Sequence, residues 1–336
     1  MLKVAVIGGG IAGMQTALRL RELGVEPMIF ERDKELGGKV RNWHLLFPTF
    51  TEAEAVLLPL KNRIAREKIE VRFATEVREF DSTSVTLASG EKIVVEAVVV
   101  CTGFTIFDAR VKDEYGYGIY DNVYTSVDIE RMFVDGKFDH WRGKEPERIA
   151  ILHCVGSRDE KVCQRHCSKV CCITGVKQAI ELKRRFPNAD VFNFYMDIRM
   201  FGPGYEELYH TAQREYGIHF VRGRISEASP LMDGRVQIKA EDTLTGRPLR
   251  MSVDMFILLV GMRSNNENEH FARTADLRLA DSGFMQPKDL FVNNVCSNEE
   301  GIFYAGTVTA PKSIGEVLNE ASMAADRVAE YLKKRL

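Results

Sequence analysis

The stretch Lys3–Gly13, KVAVIGGGIAG, constrains the fold more than any other part of the 336 residues. A short apolar run ends in Gly8-x-Gly10-x-x-Gly13, with Gly9 as a fourth glycine, and apolar residues at helical spacing continue from Ile11 to Leu23. At this junction Gly8 permits the tight turn, Gly10 lets backbone approach a pyrophosphate, and Gly13 lets the helix pack on the strand. The free N–H groups of the helix start then face the phosphate. Gly24 suits the C-cap, and Glu26 to Glu31 reads as a second strand, which makes a βαβ opening of a doubly wound parallel sheet. Glu31 stands 18 residues past Gly13, where a carboxylate can accept a hydrogen bond from a ribose hydroxyl. The strand–turn–helix context argues against a glycine-rich turn with no ligand.

Further along, residues 52–67 read as a helix and 69–73 as a strand, and Val77 to Val100 reads as a β-meander of VREF, SVTLA and KIVVEAVVV. A charged stretch from Gly136 to Arg148 reads as a linker, after which a second βα pattern begins. It comprises a strand at 148–152, a helix at 175–186, a strand at 190–195, a helix at 204–216 and a strand at 218–225. Residues 236–262 are β-rich, and the chain closes with a strand at 301–305 and a helix at 314–334. The expected class is α/β, with two Rossmann-like dinucleotide-binding regions and an inserted β-meander. Residues 1–135 and 245–336 would form one discontinuous domain, and 136–244 the other.

Lys and Arg number 46 against 48 Asp and Glu, so a net charge of −2 offers no general attraction to nucleic acid or an anionic membrane. No apolar run approaches the roughly 18 residues of a membrane span. The strand-like start leaves no room for a signal peptide, so a cytoplasmic location is expected. In a reducing compartment, five cysteines between Cys154 and Cys172 point to metal or redox chemistry rather than disulfides. Thiolates converging from a short loop suit an iron–sulfur cluster, and four thiolates equally suit zinc; the spacing leaves the metal open.

A glycine pair in Leu36-Gly37-Gly38-Lys39 leaves room for a flavin dinucleotide, so FAD is favoured over NAD. The strands VVVCTGF (Val98 to Phe104) and IFYAGT (Ile302 to Thr307) end in Thr-Gly or Gly-Thr. This layout resembles the two-dinucleotide-binding-domain flavoproteins, such as thioredoxin reductase and its relatives. The resemblance implies that Gly306 and Thr307 form the late FAD motif, Thr102 and Gly103 the middle one, and that Val77 faces the adenine.

The segments CVGSRDEK and CSKVCC, with a lysine five residues beyond the double cysteine, resemble the A-type subunit of heterodisulfide reductase, as do YMDIRMFGPGYEELY, EYGIHFVRGR, YGYGIYDNVYTS and APKSI. That resemblance implies [4Fe-4S] ligands at intervals of thirteen, four and one, on Cys154, Cys167, Cys171 and Cys172. It also implies that Lys177 lies near the flavin ring, where a cation would stabilise reduced, anionic flavin. The implied activity is electron transfer between FAD and the cluster, in sulfur or disulfide metabolism. The implied partners are B- and C-like subunits of the reductase, with dimerisation of this chain. A C-terminal ferredoxin-like run is missing, which suggests a minimal form. Such forms occur in sulfur-oxidising complexes of this type and in the flavin subunit of quinone-interacting oxidoreductases.

Cys163 reads as a spare or substitute ligand, Cys101 as a small buried hydrophobe, and Cys296 has no evident partner. His153 and His166 flank the cysteines and read first as packing residues. Where thioredoxin-reductase-like chains carry a second phosphate loop, this chain has Gly156-Ser157-Arg158 and then the cysteines, which argues against an NADPH site. Without the resemblance, Lys177 reads as a surface lysine. Two rival readings follow from the residues, a stand-alone NAD(P)H-dependent flavin oxidoreductase and an assembly subunit with structural zinc.

Overall fold

In the computed structural model, which describes residues 2–138 and 144–335, the glycine-rich opening is the first turn of a parallel sheet. Residues 139–143 of the expected linker lie outside the described residues. The chain forms two compact units. One holds Met1–Arg41, Ala53–Thr105 and Arg263–Leu336; the other holds Asn42–Glu52 and Ile106–Met262.

The first unit begins with β1 (Lys3–Ile7), α1 (Ile11–Glu22) and β2 (Glu26–Phe30), followed by α2 (Ala53–Arg66) and β3 (Glu70–Arg72). A meander of β4 (Val77–Phe80), β5 (Ser84–Leu87) and β6 (Lys92–Val94) precedes β7 (Ala97–Val100). The second unit contributes β8 (Val123–Thr125), α3 (Ser126–Asp135), β9 (Arg148–Val155), α4 (Cys171–Arg185), β10 (Asp190–Tyr195), α5 (Tyr205–Arg214) and β11 (His219–Arg222). A second meander of β12 (Ile225–Pro230), β13 (Val236–Asp242) and β14 (Arg247–Val253) leads to β15 (Met255–Val260). The chain then returns to the first unit with α6 (Asn268–Thr274), β16 (Ile302–Tyr304) and α7 (Ile314–Lys333).

Each unit has a five-stranded parallel sheet, in the order β16-β7-β1-β2-β3 in the first and β8-β15-β9-β10-β11 in the second. Parallel strands covered on both faces read as unbroken apolar runs, and β7 (AVVV) and β15 (MFILLV) are buried at every position. The two antiparallel meanders stand apart from these sheets as three-stranded sheets of their own.

Several elements differ from the sequence expectation. The run KIVVEAVVV is two strands, because Val95 and Glu96 separate an edge strand of the meander from β7, which lies between β16 and β1 in the parallel sheet. The helix expected from Gly175 begins at Cys171; its N-cap, Val170, makes no side-chain cap bond, so no polar residue announced it. The chain crosses between units at Thr105/Ile106 and Met262/Arg263, against expected boundaries at 135/136 and 244/245. The reason is pairing: β8 bonds to β15, and β12, β13 and β14 pair with one another, so these segments stay with the second unit. Among the described residues no helix is long and apolar enough to cross a membrane.

Candidate functional site

In the first unit, β1 runs into a turn that only glycine can make. Gly8 has φ +108, and a Cβ there would lie 2.5 Å from the Cys101 carbonyl oxygen. At Gly13 a Cβ would lie 1.8 Å from the Gly8 carbonyl oxygen, so the first turn of α1 rests directly on the strand end. Gly10 is different. It is the extended N-cap of α1 with no side-chain cap bond, and a Cβ there would meet only Gly38 Cα, at 3.9 Å. The start of α1 therefore keeps uncapped N–H groups beside open space, which is the geometry a pyrophosphate requires.

The other expected residues gather around this cradle or support it. Gly38, with φ +54, brings its backbone against Gly10 (a Cβ would be 3.1 Å from Gly10 Cα), and Gly306 (φ +82) lies against Ala12 in the first turn of α1. Gly103 (φ +76) sits beside Thr307, whose Oγ1 would be 3.7 Å from a Cβ at that glycine. The Thr102 carbonyl accepts a 3.0 Å bond from Asn265 Nδ2, while Thr102 Oγ1 is buried with no partner among the described residues. Asn265 carried no signal in the sequence. Glu31 is buried; its Oε2 accepts from the Gly9 N–H at 2.6 Å and its Oε1 from the Asp33 N–H at 2.8 Å. The carboxylate thus holds the glycine turn in place. Val77 is 6% exposed and packs in the core with Phe80, Val85 and Leu87.

Lys39 is half-buried with Nζ 5.1 Å from the Phe104 ring centroid, and it makes no hydrogen bond or ion pair among the described residues. Burial and the nearby Arg32 push its pKa down, against the opposing attraction of Asp33. A lysine left unpaired beside an uncapped helix start is placed to meet an anion. The residues present fit a flavin dinucleotide.

In the second unit the equivalent turn, at the end of β9, is filled by protein. A Cβ on Gly156 (φ +67) would lie 2.0 Å from the Phe107 ring. Ser157 is fully buried; its Oγ donates to the His166 carbonyl at 3.0 Å and accepts from the Ser168 N–H at 2.9 Å. Arg158 (φ +55) is held by Asp197, and its N–H donates to the His166 carbonyl. No open phosphate cradle remains at this turn.

Cysteines take its place. Cys154 (φ +61) closes β9, and Cys171 and Cys172 are the first two residues of α4, all three buried. The neighbouring Cys154 and Cys172 sulfurs, with burial, push the Cys171 pKa up, while the closeness of Cys171 pulls theirs down, Cys172 to about 4. His153 is buried, with Nε2 2.8 Å from Asn193 Oδ1. Burial opposes protonation of His153, yet the neighbouring Cys172 sulfur and Asn193 hold its pKa above the ordinary value. The His153 Nδ1 is buried with no hydrogen-bond partner among the described residues. Cys167 lies on the loop, half-exposed, its Sγ accepting from the Lys169 N–H at 3.3 Å. Cys163 is exposed, and Cys101 is buried, its pKa pushed up to about 12 by burial.

The donor set is thiol-only, set at a helix N-terminus that favours thiolate. Among the described residues no three His, Cys, Asp or Glu side chains are disposed around a single metal ion. Thiolate donors suit an iron–sulfur core, as they also suit a zinc ion. The sulfur chemistry fits such a core.

Lys177 is 2% exposed, which rules out a solvent-facing lysine. Its Nζ contacts Glu130 Oε1 and lies 2.8 Å from Glu181 Oε2, one helical turn on. Gln178 donates to the same Glu130 oxygen at 2.7 Å, and His44 Nδ1 lies 2.8 Å from Glu181 Oε1.

A family model described as pyridine nucleotide-disulphide oxidoreductase matches residues 2–126. The structure aligns with thioredoxin reductase of Lactococcus lactis at a TM-score of 0.70 and 18% identity, covering 99% of this chain and 100% of that one. The fold is therefore that of thioredoxin-reductase-like flavoproteins. The A-type subunit of the H(2):CoB-CoM heterodisulfide,ferredoxin reductase of Methanothermobacter thermautotrophicus is 29% identical over 417 residues, covering 97% of this chain. The chain is thus similar along nearly its whole length to A-type subunits of heterodisulfide reductase. The A-type iron-sulfur subunit of the CoB--CoM heterodisulfide reductase of Methanocaldococcus jannaschii is likewise 29% identical, over 96% of this chain. This chain spans 63% of the length of either relative.

Proposed function

We propose that this chain is the FAD- and [4Fe-4S]-carrying electron-transfer subunit of a heterodisulfide-reductase-like complex in sulfur or disulfide metabolism. One observation carries the reading. The first unit keeps an open, uncapped glycine cradle, while at the matching turn of the second unit Phe107 packs against Gly156, with buried Cys154 just before the turn and Cys171 and Cys172 at the following helix start. A nicotinamide dinucleotide thus loses its usual seat, and a thiol site gains one.

Gly8, Gly10, Gly13, Gly38 and Gly306 bring backbone close to the dinucleotide, Thr102, Gly103 and Thr307 line it, and Glu31 fixes the turn at its ribose end. Cys154, Cys167, Cys171 and Cys172 hold the cluster, with Arg158 and Arg199, both paired to Asp197, supplying positive charge nearby. FAD when bound takes up two electrons and can release them one at a time, and a [4Fe-4S] centre exchanges them singly. The residues hold both centres, and the sulfur chemistry itself belongs to B- or C-like partner subunits. The family further suggests that the chain pairs with a second copy of itself and works in the cytoplasm.

Anaerobic purification with metal, flavin and EPR analysis tests the reading. About four irons and one FAD per chain are expected; zinc without iron, or no flavin, would overturn it. Replacing Cys154, Cys171 or Cys172 by alanine should remove most of the iron and the EPR signal, while Cys163→Ala keeps both. Iron retained in all three buried-cysteine variants would move the ligand set elsewhere. Lys39→Met should weaken FAD binding about tenfold through loss of one charge-assisted contact, and Lys39→Arg should restore much of it. Unchanged affinity in the methionine variant would remove Lys39 from the site.

A further inference from the structure

A buried carboxylate and a partly buried lysine meet at Gly306, and neither the glycine motifs nor the cysteine pattern assigns them a role. Lys312 Nζ donates to the Gly306 carbonyl at 2.9 Å and to Thr309 Oγ1 at 2.5 Å, and it lies 3.1 Å from Glu320 Oε2. Glu320, in the second turn of α7, is 7% exposed. Burial pushes its carboxyl pKa up, while Lys312 and the backbone amide of Gly306 act against that rise. The lysine thus holds the glycine by its carbonyl, and the glutamate of α7 holds the lysine.

Stability alone is a poor explanation for such a pair. A buried ion pair replaced by apolar residues of similar volume often costs nothing. This pair is also incompletely satisfied, since Glu320 Oε1 is buried with no hydrogen-bond partner among the described residues. What the pair does achieve is local. Gly306 has φ +82, and a Cβ there would lie 2.8 Å from Ala12 Cβ and 3.4 Å from Val317 Cγ1. The glycine is therefore wedged between the first turns of α1 and α7. The uncapped N–H groups of α1 begin at that same first turn. A small shift of the Gly306 peptide moves Thr307 relative to the start of α1.

We propose that Lys312 and Glu320 are positioning residues for the flavin dinucleotide. Paired, they lock the Gly306–Thr307 turn onto α1 so that turn and helix start present one preformed surface to the cofactor. This rests on the flavoprotein reading above. The cost of ordering that turn is then met during folding rather than during binding, so the pair acts on affinity.

The test is FAD titration of the full chain, wild type against Glu320→Gln, Glu320→Leu and Lys312→Met, with circular dichroism confirming the fold of each. Glutamine keeps an acceptor for Lys312, so that variant should bind FAD within about threefold of wild type. Glu320→Leu and Lys312→Met should each bind about ten- to a hundredfold more weakly while remaining folded. Should the leucine variant not fold, Lys312→Met alone carries the comparison. Folded Lys312→Met binding FAD with wild-type affinity would overturn the clamp and leave the flavoprotein reading standing. A wild-type chain that binds no FAD would overturn that reading, and the clamp with it.

Discussion

Gly10→Ala and Gly13→Ala, three residues apart, should fail in opposite ways. At Gly13 the added methyl would fall 1.8 Å from the Gly8 carbonyl oxygen, a backbone atom at the end of β1. Nothing flexible stands there to move aside, so α1 must lift off the sheet. Overpacking of this kind costs about 1–3 kcal/mol, and more when backbone meets backbone. The first unit should melt several degrees lower, with flavin binding lost as a consequence. At Gly10 the methyl would meet only Gly38 Cα, at 3.9 Å, which is ordinary contact. The flavin-free protein should then melt at the wild-type temperature, while FAD affinity drops at least about tenfold because the methyl stands where backbone must approach the pyrophosphate. Melting curves without cofactor, set beside FAD titrations, separate the two effects. Gly10→Ala binding FAD as wild type does would show that the open face of this turn is not the phosphate seat.

That contrast also marks what was legible in the sequence. The glycine spacing names a strand–turn–helix junction because each glycine answers a local steric demand, and local demands are written in adjacent residues. The same holds for the cysteine segment, where spacing and residue type suffice to suggest a thiolate site. Longer-range facts were not legible. The strand β7 was hidden inside KIVVEAVVV, since an apolar run does not say which residues pair in a meander and which enter a parallel sheet. The boundaries at Thr105/Ile106 and Met262/Arg263 depend on β8 pairing with β15, more than 130 residues later. The helix α3 was missed altogether, although the capping box of Thr125 and Asp128 marks its start. Closure of the second phosphate turn rests on Phe107, some fifty residues before Gly156, and no motif spans that gap.

Lys177 illustrates the limit most sharply, and its replacement should be among the most damaging single changes in the second unit. Without the family resemblance it reads as a surface lysine, yet it is 2% exposed and set against Glu130 and Glu181, themselves 5% and 4% exposed. One cation therefore answers two buried carboxylates, helped by Gln178 and by His44 at Glu181. Lys177→Met removes the cation and leaves both carboxylates behind. Breaking a buried pair from one side costs about 3–5 kcal/mol, because the stranded charge keeps its desolvation penalty. Denaturant unfolding of the second unit should shift accordingly. Adding Glu181→Gln to Lys177→Met removes one stranded charge and should recover part of the loss, so the two changes should be strongly non-additive. A purely steric role for the lysine stem predicts the reverse: methionine, of similar length, would fill the space with a loss below about 1 kcal/mol and no coupling to Glu181. Measuring the two single variants and the double variant decides whether charge or packing keeps this lysine in the interior.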